Sequence, residues 1–127
     1  VEAWSTFDAS KNGVGNDPVG YDSAIFDGKF VYFSPLHNNE NPHGEVLRYD
    51  TTKDFESVEA WGTFDPSKNG FGFPPKFSNT NKQGSDAVGY SGIVFDGNSI
   101  YFAPFIHASY DDVPFPHGNV LKFQAWK

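Results

Sequence analysis

The chain contains no cysteine. Disulfides, thiolate catalysis and Cys-ligated zinc are therefore excluded together, while the compartment stays open because cysteine-free chains occur everywhere. No apolar run approaches the ~18 residues needed to span a bilayer, and no basic-then-apolar leader precedes Val1, so a soluble chain, mature or excised, is expected. Of the possible compartments, a secreted or extracellular one is preferred. Basic side chains are few, with 9 Lys and Arg against 16 Asp and Glu and a net charge of −7. That balance repels phosphate backbones and anionic lipid, and no local basic patch reverses it, so neither nucleic acid nor membrane insertion is expected. Helix-period stretches are missing as well. Nothing resembles a nucleophile elbow, a phosphate loop or a metalloprotease helix.

What the chain does have is repetition. Val1-Glu-Ala-Trp-Ser-Thr-Phe-Asp-Ala-Ser-Lys-Asn-Gly-Val-Gly15 returns as Val58-Glu-Ala-Trp-Gly-Thr-Phe-Asp-Pro-Ser-Lys-Asn-Gly-Phe-Gly72. Gly20–Pro35 returns as Gly89–Pro104, and Pro42-His-Gly-Glu-Val-Leu-Arg-Tyr49 as Pro116-His-Gly-Asn-Val-Leu-Lys-Phe123. A repeated block of this kind marks one supersecondary unit that cannot bury its own apolar face and must stack on copies of itself. Two repeats follow, residues 1–57 and 58–127, the second with a loop insertion at 73–85. With 13 Gly, 9 Pro and an aromatic content of 18%, the composition points to an all-β chain rich in turns.

Each repeat reads as four strands. In the first they are Gly20–Phe26, Phe30–Ser34 across an Asp27-Gly28-Lys29 turn, Glu45–Tyr49 and Val58–Phe64. The fourth strand has its copy out of order, at Val1–Phe7. Four-stranded antiparallel units with a Trp-bearing outer strand displaced to the chain start resemble the blades of a β-propeller, in which an offset strand completes the last blade. Neither a WD dipeptide nor paired kelch glycines is present. Because propellers need about four to eight blades, the resemblance implies head-to-tail homo-oligomerisation, with about three chains forming roughly six blades. In this the chain is similar to small two-bladed fucose-binding lectins that assemble into trimeric rings. A fragment of a longer propeller, an engineered copy of its repeat, and a β-sandwich remain alternatives.

In a propeller the long connections, 8–19, 36–43, 65–88 and 105–117, would open on one face, and long loops on a rigid scaffold are where binding sits. Trp4 and Trp61 are candidates to stack on a sugar, against the alternative that they wedge one blade onto the next. Phe73, Phe77, Phe105, Tyr110 and Phe115 are further ligand candidates because they lie in these loops, as does Phe71. His37, His43, His107 and His117 all fall between the second and third strands and offer a possible metal site, while the repeated Pro-His-Gly favours a local structural role. Asp8, Ser10 and Asn12, and Asp65, Ser67 and Asn69, place oxygens at alternate positions before a Gly, like the opening of a calcium loop. A lysine inside each loop and the missing twelfth-position Glu argue instead for an Asx-type turn. Asp22, a further ligand-binding candidate, is the one carboxylate at the open end of an inner strand, where propeller glycosidases carry theirs, and its counterpart is Ser91.

The function expected from these readings is multivalent carbohydrate recognition of lectin type at the loop face of an oligomeric propeller, without catalysis and without an obligatory cofactor, calcium being the one candidate. A structural or engineered self-assembling module is the alternative. A glycoside-processing enzyme is third.

Overall fold

The computed structural model describes residues 3–39, 41–72, 87–110 and 113–124. These residues form an all-β protein with two antiparallel sheets. In the first sheet, β1 (Tyr21–Phe26), β2 (Phe30–Pro35), β3 (Val46–Asp50) and β4 (Trp61–Phe64) pair in chain order as a meander. The second sheet contains β5 (Tyr90–Phe95), β6 (Ser99–Pro104) and β9 (Leu121–Gln124), also in order. A separate hairpin, β7 (Ile106–Tyr110) with β8 (Val113–Pro116), rises between β6 and β9.

The two sheets are built by the same local chemistry. Asp27 and Asp96 close the first hairpin of each, their side chains accepting from the N–H groups of residues two and three positions on at 2.7–2.9 Å. At the other end of the inner strands, the carbonyls of Gly20 and Gly89 each receive two backbone N–H groups, from Leu36 and His37 and from Phe105 and Ile106. Both glycines have left-handed φ, 73° and 66°, and a Cβ there would fall 1.6 Å from the His37 carbonyl oxygen or 1.7 Å from that of Ile106. Register is conserved too. Tyr32 faces Arg48 across β2 and β3, as Tyr101 faces Lys122 across β6 and β9.

The inner strands β1 and β5 lie against each other, and β2 also approaches β5. Between the sheets sits the larger core, with Phe30 and Tyr32 from the first and Tyr90, Ile100 and Phe102 from the second. A smaller core covers the opposite side of the first sheet, where Ala9 and Val14 pack on Leu47 with Phe7, Tyr21, Phe33 and Trp61. The two cores use equivalent positions: Tyr21, Phe33 and Leu47 correspond to Tyr90, Phe102 and Leu121, which face the first sheet. Each sheet thus buries the same side, the first against the chain's opening segment and the second against the first sheet.

Three expectations are corrected. Residues 3–7 form no strand, because no sheet edge among the described residues pairs with them. Val58–Ala60 is a single 3-10 turn, so the fourth strand of the first sheet starts only at Trp61. The connection from Phe105 to His117, read as loop, contains the β7–β8 hairpin. The insertion at 73–85 lies outside the described residues. The sheets are open, not closed into a ring.

Candidate functional site

The loop ends of the strands are held by a set of local locks. His43 and His117 stand just before β3 and β9, and each ring accepts at Nδ1 from the N–H two residues on, Glu45 at 3.3 Å and Asn119 at 3.2 Å. The other nitrogen of His117 meets the Val88 carbonyl at 2.8 Å. Both rings also pack edge-on against an inner-strand tyrosine, Tyr21 or Tyr90. Burial holds the His43 imidazole below its ordinary pKa, against the opposing pull of the Val19 carbonyl and of the Glu45, Asp65 and Asp17 carboxylates. His37 is exposed and contacts its neighbour's carbonyl, Asn38, at 2.5 Å. His107 lies in β7, with its side chain outside the described part. Among the described residues no three His, Asp or Glu side chains gather as a metal site would require.

Glu45 adds a second lock in the first repeat. Its buried carboxylate accepts from the backbone N–H of Asn16 at 2.7 Å and Asp17 at 2.8 Å, tying the opening loop to β3. Its counterpart is Asn119. The Tyr21 hydroxyl donates to the Glu45 carbonyl at 2.7 Å, and burial pushes its pKa upward.

The two candidate calcium loops form identical capped turns. Asp8 and Asp65 accept from Ser10 and Ser67 N–H at 3.0 Å, and Asn12 and Asn69 donate to the carbonyls of Asp8 and Asp65 at 2.6 Å. The Asp and Ser side-chain oxygens that would converge on a cation are engaged with each other in closing a 3-10 turn, and the Asn side chains turn their donors to the backbone. Hydrogen bonding from Ser10 lowers the Asp8 pKa.

Asp22 is exposed where the β1–β2 register shifts, so its side chain stands out of the ladder at the loop end of the inner strand. Ser91 occupies the matching shift in β5. No second carboxylate is brought to Asp22 by a described contact, and the Asp86 of the other repeat lies outside the described residues.

The aromatic candidates divide sharply. Trp61 is held among Phe7, stacked at 5.0 Å, Tyr49 at 4.7 Å, Phe33 and Phe55, and its indole N–H donates to the Phe55 carbonyl at 2.9 Å. Trp4, its copy, is 90% exposed. Phe105 is partly exposed, as are Phe64 and Phe71. Phe73 and Phe77 lie outside the described residues. Tyr110 and Phe115 belong to β7 and β8, their side chains likewise undescribed.

Between the sheets lies a cavity of about 410 Å³. On the first-sheet side it meets Tyr32, Val46, Arg48 and Phe64, and on the second Phe102, Leu121, Lys122 and Phe123. Burial and the Asp27 carboxylate push the Tyr32 phenol up to about 12. The Arg48 guanidinium stands 4.1 Å over the Phe30 ring, so the polar side of the cleft is positively charged and the rest is apolar. Sequence reasoning missed this cavity. It depends on which faces of the two sheets meet, which no local pattern in the sequence specifies. No family model matches the chain, and no match is found among curated proteins or among solved structures.

Proposed function

We propose that the chain is a multivalent binding protein of lectin type, in which copies join head to tail as a β-propeller and present carbohydrate-binding loops on one face. The observation that carries this reading is the exposure of Phe71 and Phe105 in the long connections that follow β4 and β6. Exposed rings offer flat apolar surfaces for the C–H faces of a sugar, while charged and amide groups take its hydroxyls. Each site is shallow and weak, and repetition around a ring supplies avidity. The repeated registers and the equivalent buried sides of the two sheets support radial stacking of the propeller kind.

Retention on immobilised glycans, eluted by free monosaccharide, is the direct test. Phe71→Ala with Phe105→Ala is expected to weaken retention roughly tenfold, about 1.4 kcal/mol. Absence of retention across neutral and acidic glycans defeats the lectin reading. A second reading, a self-assembling structural module without ligand, is favoured by the apolar character of the inter-sheet cavity, which another copy of the chain would fill.

A further inference from the structure

The cavity between the sheets is lined by counterparts of the residues that seat a tryptophan in the first sheet. In the first sheet, the seat of Trp61 is made by Tyr49, Phe33, Leu47 and Phe7. Their equivalents are Phe123, Phe102 and Leu121 in the second sheet and Phe64 at the end of β4, and all four line the cavity. Among the described residues the second sheet has no fourth strand to carry such a tryptophan. Among the described residues β9 pairs with β6 alone, leaving its outer edge open. Phe123 is 44% exposed and Phe64 54%, while Trp4, in the one other copy of the fourth-strand sequence, is 90% exposed.

We infer that Ala3–Phe7 of a second copy adds to the edge of β9 as its fourth strand and seats Trp4 in this cavity. The inference rests on the head-to-tail assembly proposed above and assigns its register. The first sheet supplies the template: Val46 faces Phe64, Leu47 Thr63, Arg48 Gly62 and Tyr49 Trp61. By equivalence Val120 faces Phe7, Leu121 Thr6, Lys122 Ser5 and Phe123 Trp4. Strand addition satisfies the open N–H and C=O groups of β9, and the tryptophan places its ring between Phe123 and Phe64 as Trp61 lies between Tyr49 and Phe7. The chain's own opening segment is not the occupant. Its Phe7 is already stacked on Trp61, on the side of the first sheet turned away from the cavity, and pairing with Val120 would forfeit that contact.

The absence of cysteine makes the register directly readable. Ser5 and Lys122 are cross-strand neighbours in the assigned pairing, so Ser5→Cys combined with Lys122→Cys brings two Cβ atoms to a separation a disulfide can span. Under mild oxidation the double variant is expected to form covalent oligomers in high yield, with each single variant stopping at dimers. A disulfide confined to one chain overturns the second-copy assignment. Oligomers by light scattering without this disulfide overturn the register and leave the assembly reading standing, whereas a monomer at all concentrations overturns both. Trp4→Ala is expected to abolish assembly while leaving the circular dichroism spectrum of the monomer unchanged. Glycan binding enters none of these readouts.

Discussion

His43 shows how a single repeated residue links the loop face to the fold. Its ring is buried against Tyr21, accepts from the Glu45 N–H, and is held below its ordinary pKa chiefly by burial. Folding therefore favours the neutral imidazole. As pH falls, the unfolded chain takes up its proton first, near 6.5, and the folded state only at a lower value. The contribution of this group is complete above about pH 6.5 and is lost as pH falls from there towards the folded pKa, by at most about 1.4 kcal/mol per pH unit for one proton. Urea midpoints measured from pH 7.5 to 5.5 should fall for the native chain. His43→Asn, which keeps an acceptor for the Glu45 N–H without titrating, should flatten that slope, and an unchanged slope would assign the effect elsewhere. Asp8, Asp50 and Asp96, whose pKa values hydrogen bonding lowers, act in the carboxylate range below this window.

At the scale of the element, the two copies of one sequence end up in different states. Val58-Glu-Ala-Trp61 folds into a 3-10 turn and then a strand because β3 offers it an edge, whereas Ala3–Phe7 finds no edge among the described residues. Trp61→Ala removes a half-buried ring packed by four aromatic neighbours and should cost about 2 kcal/mol or more in denaturant unfolding of the monomer. Trp4→Ala should cost the monomer almost nothing, since that ring is exposed. Equal losses would contradict the placement of the two tryptophans. The hairpins β1–β2 and β5–β6 were legible because Asp-Gly turn chemistry sits between alternating apolar runs, and the capped Asp-x-Ser turns because their side chains act locally. The β7–β8 hairpin was not. Its two runs, Ile106–Tyr110 and Val113–Pro116, flank two residues as a tight hairpin does, but Pro114 and Pro116 weigh against a strand unless it lies at an edge. The fourth strand at Val1–Phe7 was inferred from its copy, and local sequence does not supply a pairing partner. Trp61 as packing and Asp22 at a strand end were readable, while the inter-sheet cavity depends on which faces meet.

For the whole molecule, the strand addition proposed above would make stability a property of concentration. The edge of β9 left open among the described residues, the exposed Trp4 and the cavity behind Phe123 belong to the folded chain, so a second copy adding there would bind that state and not the unfolded one. Anything that binds only the folded state raises its stability with the logarithm of concentration, about 1.4 kcal/mol for each tenfold excess over the dissociation constant. For a chain of 127 residues this amounts to a rise in Tm of roughly 3–6 °C per tenfold increase in protein. Differential scanning calorimetry over two decades of concentration should therefore give a climbing Tm for the native chain and a constant one for Trp4→Ala. The two should converge at the dilute end, where both are monomers. A Tm independent of concentration in the native chain would mean that β9 keeps its open edge in solution, and the loop face would then act singly, without the avidity of a ring.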